Sequence, residues 1–257
     1  MSNRIFFSSS SKVWDSIEWV SGIEETGFDG WEIVADGSYR FDHQENFIAV
    51  REALGCLSLN ATVHAPYSDL NLASLNHPIW RESVRQVCLC IERSSEFTEL
   101  VTFHPGYLSP LGKLMPSRAW ESQREALIEI GRCAEEVGVK ACMENMGGPR
   151  EFLCRRPEEM LGTVDGIDGV GLTFDLGHAN MEGRVRDFLQ VLGHASHLHL
   201  HDNHGLNDEH LPIGEGNIDW DYAGRMVRSA YAHIIVVEGR SLVDGGRSLK
   251  AIKGWFR

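Results

Sequence analysis

His197, His199 and His201 alternate along the chain, so in an extended strand all three rings point to one face. They open the stretch HLHLHDNHGLNDEHLPIGEGNIDW (His197–Trp220), which continues into a loop offering Asp208 and His210. Two other stretches concentrate the same residue types. VHAPYSDLNLAS (Val63–Ser74) sets His64 before a proline-containing turn, and FDLGHAN (Phe174–Asn180) sets Asp175 at a strand end with His178 on the following loop, within reach of the same point. Glu32, His104, Glu144 and Glu238 close further short apolar runs. A solitary His or Glu in such a place is most often a satisfied structural residue. Many of them gathered together would be costly unless a cation compensated, and His, Asp and Glu are the ligand set of zinc, manganese and similar divalent ions.

Gathering them requires a scaffold that brings distant segments to one end. Eight short apolar segments alternate with longer amphipathic ones, the pattern of repeated βα units. Strands are predicted at Ile5–Ser8, Gly30–Ile33, Leu59–His64, Leu100–His104, Lys140–Glu144, Gly171–Asp175, His197–His201 and Ile234–Glu238. Helices are predicted at Val13–Glu25, Ile79–Phe97, Ala119–Val137, Pro157–Val164, Arg184–Leu192, Trp220–Ser229 and Leu242–Phe256, several closed by glycine, as at Gly27, Gly138 and Gly193. Eight such units close an α/β barrel, so the expected fold is a single (β/α)8 TIM barrel over residues 1–257. In that fold the active site lies at the C-terminal ends of the strands. The long non-periodic stretch from Asp202 to Asp219 is expected to carry function.

The 257 residues match the usual size of one such barrel. With 24% charged and 42% hydrophobic residues, the composition is that of a globular protein. No apolar stretch approaches the roughly 20 residues of a membrane span, and no signal pattern opens the chain; a cytoplasmic protein without membrane partners is expected. The six cysteines form no CxxC pair and read as small buried hydrophobes in a reducing compartment. The net charge of −13 argues against nucleic acid as a partner.

Taken in order, HAPYSDLNLAS, TFHPG, MEN, FDLGH, HLHDN, DEHLPIGEGNIDW and VVEG resemble the xylose-isomerase-like barrels over almost the whole chain. That superfamily includes sugar and sugar-phosphate isomerases and epimerases and the endonuclease IV type of abasic-site nuclease, the AP endonuclease family 2. In the first branch the resemblance implies a single metal, often manganese, held by Glu144, Asp175, His199 and Glu238, with Glu144 and Glu238 as the catalytic acid/base pair. In the second it implies three zinc ions held by His64, His104, Glu144, Asp175, His178, His199, Asp208, His210 and Glu238, with Glu144 bridging two of them. One to three divalent ions are therefore expected.

Two departures point in opposite directions. The epimerases commonly carry an arginine in the loop after the seventh strand, yet Asp202 to His210 has neither Arg nor Lys. The nucleases add loops that penetrate DNA, whereas this chain has near-minimal barrel length and 24 Lys and Arg against 37 Asp and Glu. One divalent ion would leave the carboxylate site net negative, suited to a neutral sugar, whereas three would leave it positive, suited to a phosphate ester. Sugar isomerase or epimerase is the leading expectation. A zinc phosphoesterase and a non-catalytic metal or sugar-binding barrel are the alternatives, and a homo-oligomer is compatible with each. Arg40, Tyr107 and His201 are the expected substrate contacts. Gly214-Glu215-Gly216 lacks the lysine and strand-to-helix context of a phosphate loop and reads as turn geometry.

Overall fold

The computed structural model describes residues 3–256. Eight parallel strands close in sequence order: β1 (Arg4–Ser8), β2 (Gly30–Val34), β3 (Asn60–His64), β4 (Leu100–Phe103), β5 (Lys140–Glu144), β6 (Val170–Asp175), β7 (His197–Leu200) and β8 (Ile234–Glu238), with β8 pairing back to β1. The surrounding helices are α1 (Ser21–Thr26), α2 (Gln44–Cys56), α3 (His77–Ser94), α4 (Pro110–Leu114), α5 (Pro116–Val137), α6 (Pro157–Val164), α7 (Leu176–Met181), α8 (Val185–Gln190), α9 (Trp220–Ala230) and α10 (Leu242–Trp255). This is the (β/α)8 TIM barrel expected from the sequence. Among the described residues no helix is long and apolar enough to cross a membrane, and all six cysteines are free.

Strand alternation divides the labour. One parity is apolar: Phe7, Trp31, Ile33, Val63, Phe103, Met143, Phe174 and Val237 are buried in the layer between sheet and helices. Each such side chain contributes about 1.5–3 kcal/mol through burial. The other parity points into the lumen and is largely polar, as the bond between the Thr102 and Thr173 hydroxyls (2.9 Å) and the contact of His197 with Glu32 (2.8 Å) show. The chemistry-bearing residues occupy this second parity, so the same pleat that buries the apolar set aims them inward.

Several expectations change in detail. The predicted helix Val13–Glu25 becomes two 3-10 turns, Ser10–Lys12 and Ile17–Val20, followed by α1. Its carbonyls are diverted outward: Val13 accepts from the Ser38 N–H and Asp15 from the Tyr39 hydroxyl. Helix α2 was not expected, since it buries only Phe47 and Val50 and shows little periodicity. Gly27 (φ 92°) and Gly138 (φ 71°) close helices in the left-handed conformation, whereas Gly193 lies inside a 3-10 turn. Strand β2 runs on to Val34, so Glu32 sits one layer below the strand ends rather than at one. His178 falls in the first turns of α7, not on a loop.

The stretch from Asp202 to Asp219 contains no helix or strand, only an antiparallel bridge between Asp202 and Leu211. The fully buried Asp202 carboxylate organises it, accepting from the N–H groups of Gly214 (2.9 Å) and Ile218 (3.3 Å) and from Trp220 Nε1 (2.7 Å).

Candidate metal centre

At the C-terminal end of the barrel a cavity of about 1080 Å³ opens over the lumen. Glu144, from the end of β5, lies at its centre. One carboxylate oxygen, Oε2, is 3.2 Å from His64 Nε2 and 3.1 Å from His104 Nε2. The other, Oε1, is 2.9 Å from His199 Nδ1, which also lies 3.4 Å from Glu238 Oε1. Ligand atoms of Glu144, Asp175, His199 and Glu238 all fall within 4.8 Å of one another, as do those of His64, His104 and Glu144. One carboxylate thus belongs to two donor groups.

A third region adjoins them. His178 Nε2 is 3.6 Å from Asp208 Oδ2, and His210 Nε2 is 2.9 Å from the same oxygen. His210 holds a left-handed backbone (φ 49°) and lines the cavity. All nine expected donors therefore converge. The substrate candidates divide: Tyr107 lines the cavity, and Arg40 does not. The Arg40 guanidinium is spent on Asp42 (2.6 Å) and Gln86 (2.9 Å) at the periphery. His201, expected on substrate, is fully buried beneath the mouth, stacked on His210 (4.3 Å between ring centroids) and grouped with Asp175 and His178.

Backbone acceptors fix which ring nitrogens are free. His64 donates Nδ1–H to the Ala65 carbonyl and His178 donates Nδ1–H to the Asn145 carbonyl, each at 2.9 Å, so Nε2 is the nitrogen each ring turns to the mouth, and the one whose lone pair an ion would take. Asn145 also ties β5 to β6, accepting from the Asp175 N–H (2.7 Å) and donating to its carbonyl (2.9 Å). The Asp175 carboxylate caps α7 by accepting from the His178 N–H (2.7 Å).

The electrostatics are those of buried carboxylates packed against imidazoles. Burial pushes the Glu144 carboxyl up, but attraction to His199 and bonds from His104, His199 and His64 hold it well below its usual range. Asp175 is lowered in the same way, with burial outweighed by His178 and His201. Burial opposes protonation of His199, yet Glu32, Glu144 and Glu238 raise it well above its ordinary value; against the same opposition, Asp175 and Asp208 raise His201 to about 9. Among the described residues Asp175 Oδ2 and His201 Nε2 are buried without a well-formed hydrogen bond, although His201 Nε2 lies 3.3 Å from Asp175 Oδ1 and from Asp208 Oδ1. Buried oxygen and nitrogen donors held this close fit a divalent ion that would satisfy them together.

Three contributors escaped the sequence reading. Tyr67 stacks on His104 (4.7 Å, 28°) and lines the cavity; its position after a proline at a strand end was the available signal. Arg150 and Arg155 line it too, from the loop after β5, where no cation was sought. Arg155 is paired with Glu182.

Comparison with known proteins bears on this geometry. The family described as "Xylose isomerase-like TIM barrel" matches residues 20–257. The chain belongs to the xylose isomerase-like TIM-barrel family. Within it, the chain is 36% identical over 242 residues to "Uncharacterized protein MJ1311" of Methanocaldococcus jannaschii, covering 91% of this chain and 82% of that protein. A solved structure titled as a D-tagatose 3-epimerase-like protein is 34% identical, superposes with a TM-score of 0.90 and covers 98% of this chain and 96% of its own. The probable endonuclease 4 of Mycobacterium ulcerans is 27% identical over 197 residues, covering 71% of this chain and 74% of that protein. Both branches expected from the motifs are thus represented among the relatives of this xylose isomerase-like barrel.

Proposed function

We propose that this barrel is a divalent-metal-dependent sugar or sugar-phosphate isomerase or epimerase, acting as one domain on a small-molecule substrate. The observation that carries the reading is the approach of two glutamates from non-adjacent strands, Glu144 on β5 and Glu238 on β8, to the same nitrogen of His199, which is buried beneath the cavity. Both line the cavity, so both can meet a bound substrate. Likeness to the D-tagatose 3-epimerase-like protein supports the same choice.

Glu144, Asp175, His199 and Glu238 would hold the ion, which when bound would polarise neighbouring substrate oxygens and acidify the adjacent carbon. The two glutamates then act on the carbon-bound proton. One carboxylate removes it, and the other returns a proton to the opposite face or to the neighbouring carbon. Tyr67, Tyr107 and Phe152 line the cavity wall, where a bound sugar would meet them. Arg150 supplies the positive charge that the loop after β7 lacks, and would hold a phosphate or a distal hydroxyl.

A second reading rests on a specific feature. Oε2 of Glu144 faces His64 and His104 while Oε1 faces His199, and Asp208 joins His178 to His210. That arrangement suits several ions and a zinc phosphoesterase of the endonuclease type. The acidic balance disfavours duplex DNA as its substrate. The test is incubation of metal-loaded protein with ketoses and their phosphates in deuterium oxide. Deuterium at the carbon beside the carbonyl is expected, and is lost in Glu144→Gln. Hydrolysis of a phosphate ester or incision of abasic DNA, absent in Glu144→Gln and without deuterium exchange, would establish the second reading instead.

A further inference from the structure

One layer below the mouth, the lumen holds a polar cluster that shares only His199 with the ion-holding group. Glu32 on β2, Thr62 on β3, and His197 and His199 on β7 are all fully buried there. Oε2 of Glu32 accepts from the Thr62 hydroxyl (3.1 Å) and from His197 Nε2 (2.8 Å). His199 Nε2 faces both oxygens of the same carboxylate, at 3.0 and 3.3 Å. The opposite edge of that ring, Nδ1, faces Glu144 and Glu238. His199 thus stands between a carboxylate that the mouth cannot reach and two that line it.

A neutral imidazole has one N–H and one lone pair, and a carboxylate can only accept. Carboxylates face both ring nitrogens of His199, but an ion held by Glu144 and Glu238 would displace the proton on Nδ1, so the proton left on the neutral ring is the one that Glu32 accepts from Nε2. The lone pair on Nδ1 is then presented upward to the group formed with Glu144, Asp175 and Glu238. At His64 and His178 a backbone carbonyl fixes the ring in the corresponding way. At His199 the orienting group is a side chain, and it can be changed by mutation.

We propose that Glu32 is a positioning residue that holds His199 with Nε2–H directed at its own carboxylate and Nδ1 directed at the mouth, so that the affinity of the centre for a divalent ion depends on a carboxylate that never touches the ion. The proposal rests on reading Glu144, Asp175, His199 and Glu238 as the ion-holding group. Glu32, His197 and His199 also lie close enough to hold an ion themselves. That arrangement would take Nε2 of His199 as a ligand while Nδ1 serves the group above, stripping both protons from one ring, and the hydrogen-bonded arrangement avoids this.

The experiment compares zinc affinity by chelator competition in the wild-type protein, Glu32→Gln and Thr62→Val, with thermal unfolding of each metal-free form. Glu32→Gln is expected to weaken zinc binding roughly 10–100-fold when compared at a temperature where the melts show its metal-free form still folded. Thr62→Val, which removes one bond to Glu32 but keeps its charge, is expected to bind zinc like the wild type. Long-range nitrogen-15 spectra of the zinc-loaded wild type are expected to show His199 protonated on Nε2, and they decide the matter even if Glu32→Gln fails to fold. Wild-type zinc affinity in Glu32→Gln, a proton on His199 Nδ1, or a zinc ion between Glu32 and His197 would overturn the proposal while leaving the metal reading in place. Failure of the wild type to bind any divalent ion would remove both.

Discussion

The loop that carries Asp208 and His210 has no secondary structure of its own, so its shape depends on the Asp202 carboxylate. Replacing Asp202 with alanine leaves three non-local donors without their acceptor: the N–H groups of Gly214 and Ile218 and the indole N–H of Trp220. A hydrogen bond to a charged group is worth about 1.5–3 kcal/mol, and an orphaned buried donor costs about 1–3 kcal/mol. Gly214 can regain water because it is exposed, whereas Ile218 and Trp220 are buried. Asp202→Ala should therefore cost about 4 kcal/mol, at the severe end for a single substitution. Urea unfolding measures this as a lower midpoint at unchanged slope. The released loop should also weaken any ion held through Asp208 and His210, read as divalent metal retained per chain after dialysis. A loss below about 1 kcal/mol with metal retention unchanged would refute the view that this carboxylate organises the loop.

Two further outcomes follow from packing and charge. A Cβ at Gly177 would stand 2.0 Å from the His201 ring, which is fully buried and stacked on His210 and so cannot move aside. Gly177→Ala should cost at least about 1–3 kcal/mol in thermal melts, whereas Gly162→Ala, with open space around it on α6, should be neutral or stabilising; equal effects would contradict the packing. His201 is raised from 6.5 to about 9, so its contribution is fully present below pH 6.5 and lost as pH rises toward 9, an effect of about 3 kcal/mol in metal-free protein. His178 and His199 are raised and act in the same direction, whereas His104 and His197 are lowered and oppose it only below pH 6.5. The melting temperature of metal-free protein should therefore fall between pH 6.5 and 9, and saturating zinc should flatten that fall; a rise over this range would contradict the assignment.

The barrel was legible because each strand keeps one apolar parity against the helices, and this leaves a mark on any window of the sequence. The nine donors were legible because they close those strands or follow them within recognisable motifs. What the sequence concealed depends on relations across the lumen. Glu32 looked like one more strand end until β2 proved to extend to Val34, placing it against His197 and His199. His201 shares the parity of His199, and local spacing could not show that Asp175, Asp208 and His210 close over it. Arg40 drew notice as an exposed cation after the second strand, but Asp42 and Gln86 had already taken it. The cations that do face the cavity, Arg150 and Arg155, come from a loop with no motif around them.

The central claim is that Glu144, Asp175, His199 and Glu238 form one divalent-ion site at the barrel mouth. Its most direct test is anomalous diffraction from crystals of protein purified without added metal and then loaded with manganese or zinc, with elemental analysis of the same sample. An ion bonded to all four side chains at about 2.0–2.3 Å is predicted. A ratio near one ion per chain would favour the isomerase or epimerase reading and a ratio near three the phosphoesterase. Anomalous density nowhere at the mouth, in protein exposed to saturating metal, would contradict the account.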